Sequence, residues 1–353
     1  MFDLPVVPRT ILSTARAGLS GSMIAAALLT STAQAADAYR IYVTNEDSNT
    51  VSVIDGASMQ VMESIAVGKR PRGLRLSADG RSLYVALSGS PKCPPTMPDE
   101  ECEAQVRDPG QDGIAQIDTR SGQVVRTYPG GSDPEQFDIS PTAPRIYISN
   151  EDAGSTTVLD TVTGNVIATI SVGDEPEGVK VSPDGSTVLV TSEADHDIAV
   201  IDSQSHVALK RIPVGLRPRD IIFRPDGRYA FVSTELSREV VMLDMQALRV
   251  VRRLAVGPTA MPMGLALAPD GQTLYVGNGR DSTVAAINLH GEPAVRTVKV
   301  GTRPWGIALS PDGTRLYSAN GPSDDVTVID TGRWEVVGRI EVGESPWGVV
   351  SGR

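Results

Sequence analysis

The 353-residue sequence predicts an all-β fold, a seven-bladed β-propeller of four-stranded antiparallel blades. Three observations predict it: a repeat about 42 residues long, turn motifs between short apolar runs, and termini that each hold part of one repeat. Glycine (34 residues) and proline (25) are abundant, and aromatic residues make up only 4% of the chain. Such a composition favours short strands joined by turns over long helices.

The repeat is clearest in an apolar strand that ends in Asp or Asn. Its seven copies end at Asp55, Asp118, Asp160, Asp202, Asp244, Asn288 and Asp330, with intervals of 63, 42, 42, 42, 44 and 42 residues. The first interval exceeds the period by 21 residues, which predicts an insertion at about residues 88–112. Copies in one register predict copies of one structural unit.

Two further motifs recur in the same register. Val-Gly-x-x-Pro-x-Gly occurs at residues 67–73, and Ser-Pro-Asp-Gly occurs at residues 182–185. The second is typical of a hairpin turn, because Pro fixes φ, Asp caps the turn and Gly accepts a positive φ. Four short strands fit each unit, as in propeller blades around a central channel. A solenoid of stacked sheets is the alternative, but it needs capping repeats, which the sequence does not show.

The termini indicate how the ring closes. Residues 40–45 match the second strand of a unit, and residues 346–350 match a first strand. Each end alone would leave an open sheet edge, which proteins avoid. We therefore expect three N-terminal strands and one C-terminal strand to complete the seventh blade.

The first 35 residues resemble a secretory signal peptide that precedes the propeller of residues 36–353. Arg9 and Arg16 precede the apolar run 23–29, and Ala33-Gln34-Ala35 has the small-x-small pattern of a cleavage site. Seven apolar residues are too few to cross a bilayer, and no later segment approaches the length of a membrane span. We expect cleavage after Ala35 and export of the remaining chain. A disordered N-terminal tail is the alternative.

Charge and cysteine usage exclude some classes of partner and cofactor. The formal net charge of −11 disfavours a nucleic-acid partner, which needs a basic surface. Cys93 and Cys102 lie in the insertion, and in an oxidising compartment we expect them to form a disulfide. A zinc site is the competing interpretation, but two thiolates fall short of a ligand set. No metal and no cofactor are therefore expected.

Searches for catalytic motifs also find nothing. There is no Cys-x-x-Cys-His for covalent haem and no Gly-x-Ser-x-Gly nucleophile elbow. His196, His206 and His290 are scattered in predicted loops, where exposed residues without a catalytic role are the simpler interpretation. The sequence therefore predicts no catalytic residue, and the expectation is that the protein is not an enzyme.

Residues 40–350 resemble a known repeat family. Tyr42-Val43-Thr44-Asn45, together with residues 51–55 and 67–73, resembles the YVTN family of β-propeller repeats. The Asn-Glu-Asp loops at 45–47 and 150–152 and the insertion are similar to those of a periplasmic subgroup associated with PQQ-dependent alcohol catabolism. The resemblance implies an accessory role in that oxidation. It also implies the candidate partners, a periplasmic PQQ-dependent dehydrogenase, a cytochrome or a small molecule.

Seven residues are predicted to surround the mouth of the channel, because each follows a loop proline at the start of an innermost strand. They are Arg72, Glu135, Glu177, Arg219, Met263, Trp305 and Trp347. As a ligand pocket, this ring would have an indole wall, and Arg72 or Arg219 would grip an anionic group. The alternative is that these side chains only fill or solvate the mouth.

A second ring is predicted on the same face. It contains Glu46, Glu151, Glu193 and Glu235, which follow the second strands of their units. These carboxylates could bind Ca²⁺ or attract a basic partner such as a cytochrome. The alternative is an ordinary hydrated loop surface.

These observations predict a periplasmic binding or interaction protein, accessory to PQQ-dependent alcohol oxidation, that uses the channel mouth or the top-face loops. One alternative is a propeller enzyme, a lactonase or lyase with its site in the channel, for which Arg72, Glu135 and Glu177 are the candidate titratable groups. Another is a structural cell-envelope propeller. The sequence makes no prediction of the oligomeric state.

Overall fold

The computed structural model describes residues 38–92, 106–291 and 293–353, and residues 1–4, 6, 8 and 10 of the N-terminal segment. The chain divides into two units, Met1–Ala36 and Asp37–Arg353, and the second contains all the sheets described below. Most of the predicted signal peptide, with its cleavage site, lies outside the described residues. So do Cys93 and Cys102, and their disulfide stays a prediction.

Seven four-stranded antiparallel sheets confirm the predicted propeller. The sheet that closes the ring, blade 7, contains β1 (Arg40–Asn45), β2 (Thr50–Asp55), β3 (Gln60–Ala66) and β28 (Pro346–Gly352). Its order is β28-β1-β2-β3, with β28 innermost, so three strands come from the N-terminus and one from the C-terminus. This is the predicted closure.

The other six blades follow in chain order, and each runs from an innermost to an outermost strand. Blade 1 contains β4 (Leu74–Leu76), β5 (Ser82–Leu87), β6 (Gly113–Asp118) and β7 (Gln123–Tyr128). Blade 2 contains β8 (Pro134–Ile139), β9 (Arg145–Asn150), β10 (Ser155–Asp160) and β11 (Val166–Ser171). Blade 3 contains β12 (Pro176–Val181), β13 (Thr187–Ser192), β14 (Asp197–Asp202) and β15 (Val207–Pro213).

The second half of the ring has the same pattern. Blade 4 contains β16 (Pro218–Phe223), β17 (Tyr229–Thr234), β18 (Glu239–Asp244) and β19 (Arg249–Ala255). Blade 5 contains β20 (Pro262–Leu267), β21 (Thr273–Asn278), β22 (Thr283–Asn288) and β23 (Val295–Lys299). Blade 6 contains β24 (Pro304–Leu309), β25 (Arg315–Asn320), β26 (Asp325–Asp330) and β27 (Glu335–Glu341). Four short 3₁₀ turns occur at Pro109–Gln111, Glu151–Ala153, Gly279–Asp281 and Gly321–Ser323.

The second and third strands of each blade form the core. They are nearly continuous apolar runs, because both of their faces pack against neighbouring blades, as for β13 and β14. The outermost strands are largely exposed, as for β15. Among the described residues, no helix has the length and hydropathy needed to span a bilayer.

The Asp that closes the third strand caps the turn to the outermost strand. In six blades its Oδ1 accepts a hydrogen bond of 2.6 to 3.0 Å from the backbone N–H three residues later. Short polar side chains stabilise turns in this way. The repeated Asp of the sequence therefore marks the outer hairpin of the blade.

The second Gly of Val-Gly-x-x-Pro-x-Gly allows neighbouring innermost strands to approach each other. A Cβ at Gly264 would lie 2.5 Å from the carbonyl oxygen of Trp305 in the next blade, and a Cβ at Gly306 would lie 2.9 Å from that of Trp347. A side chain with ordinary contacts does not fit at such distances. These glycines therefore set the spacing of the blades around the channel.

Candidate functional site

The structure places the seven predicted mouth residues as the sequence indicates. Arg72 lies just before β4, and the other six are the second residues of their innermost strands. Hydroxyl groups on the second strands hold several of their backbones, because Ser149 donates to the carbonyl oxygen of Glu177 (2.5 Å) and Ser233 to that of Met263 (2.6 Å). The ring is therefore fixed by contacts between blades.

Arg72 is enclosed by carboxylates. Its guanidinium is only 3% exposed, pairs with Asp133 and Glu135, and lies 3.5 Å from Glu151. Burial lowers the pKa of Arg72, but the attraction of Glu135 and Asp133 outweighs it, so the pKa is raised. Burial also raises the pKa of Glu135 well above its ordinary value, against the attraction of Arg72. The pKa of Arg72 is raised because several carboxylates surround one cation, and that of Glu135 is raised because burial disfavours its charged form.

Arg219 is the centre of a second cluster of this kind. Its guanidinium pairs with Glu177 and Glu193, and its Nε donates to Glu235 at 2.9 Å. Burial raises the pKa of Glu177 well above its ordinary value; Arg219 opposes this shift and Glu193 adds to it. With three carboxylates each, neither Arg72 nor Arg219 has its guanidinium free for the anionic ligand expected from the sequence.

The predicted acidic ring contributes to these ion pairs. Glu193 and Glu235 pair with Arg219, and Glu46 pairs with Arg70 at 2.9 Å; these three carboxylates are buried. Glu151 is more exposed. Among the residues that the structure describes, no group of three or more His, Cys, Asp or Glu side chains is arranged to hold a metal ion. Binding of a cation or a basic partner by this ring stays a prediction.

The two predicted tryptophans stack. The ring centroids of Trp305 and Trp347 are 6.0 Å apart, with 18° between the ring planes. The guanidinium carbon of Arg303 lies 4.6 Å from the centroid of Trp305, and that of Arg219 lies 5.8 Å from it. Such stacked and cation–π contacts fix the indoles in place. They form one rigid apolar wall of the channel.

A polar cluster deeper in the channel was missed by the sequence analysis. Asp138 accepts a hydrogen bond from Arg75 (3.2 Å) and lies 3.6 Å from the Lys180 ammonium. Asp220 accepts backbone hydrogen bonds from Ile221 and Leu265, both at 2.8 Å. The repeat does contain a signal for this cluster. Asp220 takes the place of the second Gly of Val-Gly-x-x-Pro-x-Gly in its blade. Each of the other three side chains, Arg75, Asp138 and Lys180, lies four residues after the loop proline of its blade.

Residues of the channel mouth and residues of the deeper polar cluster line one cavity of about 210 Å³ in the central channel. Its lining includes five of the seven predicted mouth residues, Glu177, Arg219, Met263, Trp305 and Trp347. From the deeper cluster it includes Arg75, Lys180 and Asp220. Sites for drug-sized ligands occupy roughly 300–1,000 Å³, so this cavity suits a smaller molecule.

Burial shifts the pKa values of two groups in the deeper cluster, Asp220 and Lys180. Burial raises the pKa of Asp220, and Lys180 opposes the shift. Burial lowers the pKa of Lys180, and Arg75 lowers it further. A carboxylate and an ammonium whose pKa values are moved toward neutrality, next to an apolar wall, can exchange protons with a bound molecule. The site can therefore perform acid–base chemistry.

Comparison with known proteins gives one family match and many similar folds. A family described as "Lactonase, 7-bladed beta-propeller" matches residues 201–335. The search of curated protein sequences gave no significant match.

Three solved structures illustrate the structural likeness. A putative 6-phosphogluconolactonase from Bacteroides uniformis has 18% identity and a TM-score of 0.74, with 90% of this chain and 100% of that chain covered. The periplasmic gluconolactonase of Pseudomonas aeruginosa has 21% identity and a TM-score of 0.72, with 90% and 99% covered. Hydrazine synthase of Kuenenia stuttgartiensis has 22% identity and a TM-score of 0.69, with 82% and 92% covered. At these identities the likeness shows the fold.

The family match corrects one expectation from the sequence. The chain was expected not to be an enzyme, and the match to lactonases over residues 201–335 contradicts this. The expectation rested on the absence of known catalytic motifs, and a site assembled from several blades need not contain such a motif. The PQQ-associated role stays a prediction. The chain is therefore a seven-bladed β-propeller of which residues 201–335 match the lactonase family.

Proposed function

We propose that the protein hydrolyses a small lactone in its central channel. The observation that carries the proposal is the cavity of about 210 Å³ in which Asp220 and Lys180 lie with the indole wall. The segment that matches the lactonase family, residues 201–335, supplies Asp220 and also Arg219, Met263 and Trp305 of the lining. Lactone hydrolysis needs a base for water and a cation for the carbonyl oxygen, and this cavity has both.

Asp220 is the general base of the proposed reaction. Each of its carboxylate oxygens accepts one backbone hydrogen bond, from Ile221 or Leu265, which fixes its orientation. Each oxygen keeps a further lone pair for a water molecule. The carboxylate takes a proton from that water as the water oxygen attacks the carbonyl carbon of the lactone.

Lys180 stabilises the negative charge that develops on the carbonyl oxygen, and Arg75 adds positive charge beside it. Asp138 is a positioning residue, because it accepts from Arg75 and pairs with Lys180. When the ring C–O bond breaks, the protonated Asp220 returns its proton to the leaving alkoxide. The product is a hydroxy acid, which at neutral pH releases one proton as it ionises.

The test is proton release at constant pH, measured with a panel of five- and six-membered lactones. We expect Asp220→Asn to lower kcat/KM by about 10²- to 10⁴-fold, because the amide cannot accept the proton. Glu341→Gln is the control, since Glu341 is exposed on the outermost strand β27 and should leave the rate unchanged. Equal rates for Asp220→Asn and the parent protein, both folded by thermal melting, would contradict the role of Asp220.

The pH profile of the same reaction provides a second measure. The rate should rise with pH as Asp220 loses its proton, above the ordinary value of about 3.9 because burial raises its pKa. It should fall as Lys180 loses its proton, below the ordinary value of about 10.4 because burial lowers its pKa. If no lactone in the panel is hydrolysed at any pH, the proposed function fails.

A further inference from the structure

Unlike the other arginines at the channel mouth, Arg303 forms no ion pair with a carboxylate of the described residues. It lies in the loop before β24, with its guanidinium carbon 4.6 Å from the centroid of the Trp305 ring. Within the described part of the chain, no carboxylate lies within ion-pair distance (4.0 Å) of its guanidinium. Arg72 and Arg219, by contrast, each contact three carboxylates.

Other cations surround Arg303. Its pKa is lowered by burial and then by Arg280, with smaller contributions from Arg219 and Arg217, while Glu235 opposes these. Glu235 itself is shared, because it lies 2.9 Å from Arg219, 3.4 Å from Arg280 and 3.6 Å from Arg217. The side chain of Arg280 is 51% exposed. One arc of the mouth therefore has an excess of positive charge in a protein whose net charge is −11.

This arc lies directly above the cavity, because Trp305 contacts Arg303 and also lines the cavity. The indole N–H of Trp305 has no hydrogen-bond partner among the described residues. Because Arg303 lies over the Trp305 ring, a ligand packed against the indole would also meet the Arg303 guanidinium, which no carboxylate of the described residues neutralises. The planar fork of an arginine matches a carboxylate bidentately.

We propose that Arg303, assisted by Arg280, binds a carboxylate that the ligand carries outside its lactone ring. The proposal rests on the proposed function, since it makes the preferred substrate a lactone with an acid substituent. The lactone ring then lies in the cavity near Asp220 and Lys180, and the substituent points to the mouth.

Binding is tested first without catalysis. Succinate is titrated into the protein, and the tryptophan fluorescence is measured at low and high salt. We expect saturable binding that salt weakens, and a 10- to 100-fold lower affinity for Arg303→Gln. Arg296→Gln is the matched control, because Arg296 makes a similar contact with Trp334 (5.7 Å) on the outer side of the ring. Equal affinities in Arg303→Gln and the parent protein would overturn the proposal.

Substrate preference is tested with γ-butyrolactone and its γ-carboxylate. The parent protein and Arg296→Gln should favour the carboxylate by about tenfold or more in kcat/KM, and in Arg303→Gln the ratio should fall to near one. Equal use of both lactones by the parent protein would overturn this inference but leave the hydrolase proposal intact. Better use of a phosphorylated lactone than of the carboxylate would also overturn it. Succinate binding through Arg303 without any hydrolysis would instead reject only the hydrolase proposal.

Discussion

At the scale of single residues, the carboxylates around Arg72 outnumber the one cation that they surround. Arg72 has Asp133, Glu135 and Glu151 around it, and most of this cluster is shielded from water. A buried cation with carboxylate partners is held strongly, because removing it leaves anions without compensation. A single carboxylate of such a cluster contributes less, because the others still balance the cation.

We therefore predict that replacing the cation destabilises the protein far more than replacing one of its carboxylates. Arg72→Met should lower the free energy of unfolding by about 3–5 kcal/mol, since it leaves buried carboxylates unpaired. Glu135→Gln should change it by less than about 1 kcal/mol at neutral pH, since Asp133 still pairs with Arg72. Urea denaturation of the two variants and the parent protein measures both.

The pH dependence of the free energy of unfolding provides a separate test of the Glu135→Gln prediction. Burial raises its pKa in the folded protein, so the native state binds this proton more tightly than the unfolded state does. The resulting stability is present below the unfolded pKa of about 4.3 and is lost as the pH rises through the folded pKa. Glu135→Gln lacks this loss, so it should become more favourable relative to the parent protein as the pH rises. The reverse trend would contradict the assigned direction.

At the scale of the strands, contacts between blades place the site. Besides the inner glycines and the second-strand hydroxyls, long basic side chains join the outer edges. Lys210 donates to the carbonyl oxygen of Leu248 in the next blade (2.9 Å), and Arg252 donates to that of Gly291 (3.0 Å). The repeat thus places equivalent side chains at equivalent joints around the ring.

The inner glycines are the most sensitive of these joints. Gly264→Ala should lower the free energy of unfolding by about 1–3 kcal/mol and disturb the cavity, because its Cβ would lie 2.5 Å from the carbonyl oxygen of Trp305. Gly257→Ala is the control, since its Cβ would make an ordinary contact of 3.7 Å with Ala260. Urea denaturation measures the change in stability, and tryptophan fluorescence, to which Trp305 and Trp347 of the cavity wall contribute, reports the change in the cavity. A Gly264→Ala protein as stable as Gly257→Ala would show that the strands can separate without cost.

At the scale of the whole molecule, blade 7 joins the two ends of the chain. β28 pairs with β1 through Ile41–Ser351, Tyr42–Val350 and Val43–Val349. β28 also supplies Trp347 to the cavity. Closure of the ring and completion of the site therefore depend on the same strand.

Deletion of residues 346–353 should cause aggregation or a large fall in the melting temperature, because it exposes the inner edge of β1 and opens the ring. The control is the chain of residues 36–353, which lacks only the predicted signal peptide. Calorimetry and light scattering measure the result. An unchanged melting curve would show that closure by β28 is dispensable.

The sequence by itself determined the number of blades, the closure and the members of the mouth ring. These depend on local patterns, the closing Asp and the loop proline, which recur in one register and whose physical roles act within a few residues. The tertiary structure alone decided which charges meet. Asp220 and Lys180 lie in different blades. Arg217 and Arg303 both precede the loop proline of their blades, but only Arg217 forms ion pairs among the described residues, with Glu193 and Glu235. A repeat pattern states the position of a side chain in its own blade, whereas pairing and pKa depend on distances between blades.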